Sequence, residues 1–163
     1  MVMPPKHIRA FFLTFCLIAL LALPASAQSH HIKELDGLRN SMTKLGDGMS
    51  DVVKNVPKRD LRTAERVFEI NTYALTTIEA YFKMIKVAVS SSGEINAEIV
   101  SVLNGWLDFM GKYCKKDIEY FDEALADTKD KPLVQMIAHA KDNIQKLETV
   151  TQKAIEENKN LIR

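Results

Sequence analysis

From Leu61 to Val89 an apolar residue returns every three or four positions without a slip. The row is Leu61, Ala64, Phe68, Leu75, Ile78, Phe82, Ile85 and Val89, with Asn71 its one polar member. Residues spaced this way share one face of an α-helix, whereas a strand repeats every two. Val67, Ala74, Tyr81 and Ala88 widen the stripe on one side. A stripe that wide suits a globular bundle better than the narrow seam of a two-stranded coiled coil. It must be covered by something equally apolar. Asn71 inside it is a residue type that sets register at some cost in stability.

Three further segments repeat the pattern. Leu35, Leu38, Met42, Leu45, Met49, Val52 and Val56 form a stripe over about 32–56, crossed by Gly46-Asp47-Gly48. Each glycine costs roughly 1 kcal/mol in a helix relative to alanine, so a kink or a thinned turn is expected there. A third helix is expected over about 94–126, carrying Ile99, Leu103, Leu107, Met110, Cys114, Ile118, Phe121 and Leu125, with Val102 and Trp106 alongside. A fourth is expected over about 132–161, with Leu133, Ile137, Ala140, Ile144, Leu147, Thr151 and Ala154. The breaks are short: Asn55 to Lys58 around Pro57, Ser90 to Gly93, and Asp127 to Lys131. Asp60 is placed as an N-cap and Pro132 as a first helical residue. Four such helices with short connections predict an all-α, up-down-up-down antiparallel four-helix bundle, each stripe covered by the others. A dimer of longer helical hairpins is the alternative architecture.

The N-terminus has a different character. Lys6 and Arg9 precede an uncharged apolar run from Ala10 to Leu23, then Pro24 and the small-x-small triplet Ala25-Ser26-Ala27. Those are the three parts of a secretory signal. The run is shorter than the ~20 residues of a membrane span. Residues 1–27 are therefore read as a cleaved signal peptide and 28–163 as one helical domain, periplasmic or secreted. The absence of any Asn-x-Ser/Thr site points to the bacterial periplasm. Without the leader the chain keeps 20 Lys and Arg against 21 Asp and Glu, one net negative charge. Nucleic-acid binding needs clustered cations to displace counterions, and this composition lacks that footprint. A single cysteine, Cys114, remains beyond the leader, so no internal disulfide can form there.

Few constellations carry chemistry. The Glu-x-x-His spacing of di-iron bundles is missing, since Met136 stands three before His139. No Cys-x-x-Cys-His and no Gly-x-Ser-x-Gly occurs. Antiparallel first and fourth helices would bring Met49 and His139 to one level as a candidate haem pair. A mature N-terminus Gln28-Ser29-His30, with His31 next to it, could wrap Cu(II) or Ni(II) in a square plane. The ordinary readings are a core methionine, a boundary histidine and a frayed tail. Cys114 lies on an apolar stripe and reads as a small buried hydrophobe.

All nine aromatics beyond the leader lie between Phe68 and Phe121. Phe68, Phe82, Trp106 and Phe121 fit the inner stripes. Tyr73, Phe109, Tyr113 and Tyr120 sit beside or off them and are candidates for a partner-binding face, where a ring with one wet end is favoured. The expectation is a soluble exported domain, not an enzyme, that acts by binding a protein partner or another copy of itself. No cofactor is assigned to it. The alternative is a carrier of a small molecule, haem or metal ion in the bundle interior or at the mature N-terminus.

Overall fold

The computed structural model describes residues 30–92 and 97–160. Among these the protein is all-helical, with four helices and no strand: α1 His30–Asn55, α2 Leu61–Ser92, α3 Ala97–Asp127 and α4 Lys131–Asn160. No helix of the described residues is long and apolar enough to cross a membrane. The signal-peptide reading falls on residues outside those described.

The helices begin and end where local chemistry dictates. Val56 donates its N–H to the Val52 carbonyl, and Pro57 then stops α1. Asp60 stands just before α2, its carbonyl accepting from the Ala64 N–H at 3.0 Å. At α4 the cap lies one residue earlier than the proline suggested. Asp130 Oδ1 accepts the Leu133 N–H at 3.0 Å, which starts the helix at Lys131 and places Pro132 inside the first turn, where a missing N–H costs nothing. The serine break is also shorter than expected, because α2 runs on through Ser92.

α1 is a single helix across Gly46-Asp47-Gly48. The partner of that stretch is Asn71, whose Nδ2 donates to the Met42 carbonyl at 2.9 Å. A Cβ on Gly46 would lie 3.5 Å from that amide nitrogen, and one on Gly48 would meet nothing. The polar member of the α2 stripe thus spans two helices, in keeping with a register role.

The core lies between all four helices. Every residue named for the α4 stripe is buried, and so are Leu35, Leu38, Met42 and Met49 of α1. The α2 stripe is rotated relative to the expected one. Ala64, Asn71 and Ile78 are shared, but Val67, Ala74 and Tyr81 complete the buried face, while Phe68 is 37% exposed. Val102, expected beside the α3 stripe, is 58% exposed. α3 packs most extensively on α4, and α1 packs on both α2 and α4. α2 and α4 touch across one diagonal, whereas α1 and α3 do not meet. At the α3–α4 seam a Cβ on Gly111 would come within 3.2 Å of Thr151 Oγ1.

The two kinds of glycine predict opposite outcomes. Gly48→Ala should stabilise the fold by about 0.5–1 kcal/mol through helix propensity alone. Gly111→Ala should lose that gain to the crowded seam. Urea unfolding followed by circular dichroism measures both.

Candidate functional site

Two groupings of side chains stand out from the packing. The first closes one end of the fold. His31, the second residue of α1, is 2% exposed. Its Nδ1 lies 2.6 Å from Glu157 Oε2 of α4, and its Nε2 lies 3.2 Å from the Tyr81 hydroxyl of α2. A carboxylate only accepts, so Nδ1 donates to Glu157, which leaves Nε2 to accept from Tyr81 in the neutral ring. Asn158 is hydrogen-bonded to the same hydroxyl, and its Nδ2 donates to Asn104 Oδ1 of α3 at 2.9 Å. One chain of polar contacts therefore joins all four helices. Burial pushes the Tyr81 hydroxyl up to about 12; the Asn158 bond opposes this and the nearby Glu157 carboxylate adds to it.

The second grouping is a row of rings along α2 and α3. Trp106 and Phe109 have centroids 5.6 Å apart, Phe109 and Tyr113 4.6 Å, and Tyr113 and Tyr73 5.6 Å. All are tilted, the arrangement aromatic pairs prefer over face-to-face stacking. Trp106 is pinned by its Nε1, which donates to the Thr77 carbonyl at 3.1 Å. Tyr73 and Tyr113 are 44% and 43% exposed. Three of the four aromatic candidates thus meet in one row. Tyr120 rests instead on Phe121. Beneath Tyr73 and Tyr113 lie Cys114 and Asp117. Burial drives the Cys114 thiol up to about 12, with Asp117 and Glu148 acting the same way. Burial also raises Asp117, against the pull of Arg66.

The remaining candidates are scattered. Met49 is buried in the core, whereas His139 is exposed, with Nε2 3.4 Å from Ser41 Oγ. The level expected for α1 against α4 is close to that observed, but the two side chains occupy different surroundings and are not brought together. His30 is exposed near Glu34, and His31 is committed to its buried partners rather than to a loose tail. Gln28 and Ser29 lie outside the described residues. Among the described residues no three His, Cys, Asp or Glu side chains converge as metal ligands would.

Sequence reading missed the His31 grouping because its partners stand 50 and 126 residues away. One signal was present: His31 lies four before Leu35, which continues the α1 stripe backwards by one turn. No family model, no curated protein and no solved structure matches the chain.

Two measurements follow. Tyr81 keeps its proton to about pH 12 when folded but releases it near its ordinary 10 when unfolded. Its contribution to stability is therefore complete below about pH 10 and lost as the pH rises towards 12. Tyr81→Phe should cost about 1–2 kcal/mol at pH 7, leaving His31 and Asn158 each short of a partner, and should flatten the alkaline fall in urea midpoints. Cys114 should react with an aromatic disulfide reagent at pH 8 far more slowly in the native protein than in urea, since the thiolate is the nucleophile.

Proposed function

We propose that this chain is an exported binding protein that recognises a partner through the outer face of α2 and α3. In this reading residues 1–27 direct export and are removed, and 28–163 form an up-down-up-down antiparallel four-helix bundle that works without catalysis in the periplasm or outside the cell. Cross-helix pairs support the topology. His31 with Glu157 and Glu34 with Lys153 link the start of α1 to the end of α4.

The observation that carries the binding reading is where the apolar surface lies. Among the described residues every exposed large hydrophobic side chain belongs to α2 or α3: Leu61, Phe68, Tyr73, Val87, Val102 and Tyr113. Scattered apolar residues are normal on any surface, but four of these, Tyr73 with Tyr113 and Val87 with Val102, lie along the side where α2 and α3 meet, and such a concentration marks an interaction face. Part of that face is a groove of about 440 Å³ between Met84 and Val87 of α2 and Ile99 and Val102 of α3. Rings and aliphatic side chains with little polar lining are what the centre of a protein interface presents.

Tyr73→Ala combined with Tyr113→Ala should lower stability by about 1 kcal/mol or less per site, because both rings are already half in water. The same variant should weaken association at least tenfold. Thermal unfolding checks the first expectation. Light scattering and recovery of partners from the native envelope fraction check the second. A loss of several kcal/mol would put the rings in the core and remove the reading.

A further inference from the structure

We infer that the occupant of the α2/α3 face is a second copy of this chain, set by a two-fold axis parallel to the helices so that α2 of each copy lies over α3 of the other. The inference rests on the binding reading above and names its partner. Size allows it. Helices of 32 and 31 residues are about 47 Å long, and two side by side present a face roughly 20 Å wide. The product, about 900 Å², matches the ~800 Å² per partner of a stable interface.

Charge selects the arrangement. Trp106 meets Thr77 and Tyr73 meets Tyr113, so α2 and α3 residues whose numbers add to about 185 stand level. Along the outer side of α2 the exposed charges run Arg62 positive, Glu65 negative, Arg66 positive, Glu69 negative and Lys83 positive, with Arg66 paired to Glu69. At nearly the same levels α3 exposes Glu119 and Glu123 negative near Arg62, Lys112 and Lys116 positive near the Glu65-to-Glu69 stretch, and Glu98 negative near Lys83. The ion pairs that Glu69 and Lys112 make run along their own helices, to Arg66 and Asp108, and leave both ends 65% and 73% exposed. A half-turn about an axis parallel to the helices preserves level and exchanges α2 for α3. Arg62, Glu69 and Lys83 then meet opposite charges, and do so twice, once on each side of the axis, while Arg66, which comes level with Lys116, keeps Glu69 as its own partner. A half-turn about an axis across the helices would instead lay α2 on α2 and bring Arg62 towards Lys83, which repel. Rim charges of this kind choose register and partner more than they add affinity. The apolar side chains between them, Tyr73 and Tyr113 in the middle and Val87 and Val102 towards one end, supply the burial.

The test uses two charge-swapped variants of the protein, expressed from its full sequence. One carries Glu69→Lys and Lys83→Glu on α2; the other carries Glu98→Lys and Lys112→Glu on α3. Each keeps the net charge and alters only exposed side chains, and circular dichroism confirms its helicity. The wild type should form dimers by light scattering. Each variant alone should dimerise about tenfold more weakly, because every swapped site meets its like. Mixed together they should recover wild-type affinity as a heterodimer, seen by native mass spectrometry with one partner isotope-labelled. Recovery in the mixture cannot come from pairing within one chain. A monomeric wild type would overturn the self-pairing, and a dimer without recovery in the mixture would overturn the geometry. In either case a thermally neutral Tyr73/Tyr113 double alanine variant keeps the surface open to a different partner, whereas a strongly destabilised one ends the surface reading itself.

Discussion

Four apolar ridges hold this protein together by covering one another, and the contact of α2 with α4 decides how they do it. Two opposite helices of a four-helix arrangement approach only if their facing side chains are small. α2 turns Ala64 and Ala74 inward, and α4 turns Ala140 and Ala154 inward. With that diagonal drawn in, α1 and α3 stay apart on the other. The largest buried rings, Tyr81 and Phe121, fill the space that remains. The one buried cysteine, Cys114, is free, so burial and polar pairing carry the stability.

The same geometry explains why the two surfaces of the molecule differ. α1 and α4 present charged and polar side chains outward and keep their apolar residues inside. α2 and α3 carry more apolar residues than their share of the core can hold. Once α2 has turned Tyr81 inward to meet His31 and Asn158, the column containing Phe68 is carried outward. Trp106, Phe109 and Tyr113 lie on the flank of α3, where α2 covers them only in part. The aromatic row thus lies where α2 and α3 meet at the edge of the core, outside the face that each helix buries.

How much of this a reader could take from the chain alone varies by helix. In α1 and α4 the apolar column is single and flanked by charge, so periodicity fixes the buried face. In α2 two adjacent columns are equally apolar, one through Phe68, Leu75 and Phe82, the other through Val67, Ala74 and Tyr81. Periodicity cannot choose between them; tertiary contacts do. The off-stripe position of Tyr73, Phe109 and Tyr113 was legible, because a ring beside a stripe is a local property. The pairing of His31 with Glu157 was not, because it depends on how the last helix returns past the first. Helix ends followed the same division. Pro57 and Asp60 mark their boundary by themselves, while the early start of α4 needed the capping reach of Asp130.

The joining of His31 to Glu157 has one more implication. It brings the opening turn of the first helix and the closing turn of the last within the length of a side chain, and Tyr81 holds both from a third direction. In connectivity the four described helices are nearly a ring, with a small gap between the start of α1 and the end of α4. A linker of a few residues could close that gap, and fresh termini could be opened at the exposed connector around Pro57 and Lys58 while every helix keeps its neighbours. The order in which the helices are strung together is then almost immaterial to the packed shape, which belongs to the helices and their faces rather than to the place where the chain happens to begin.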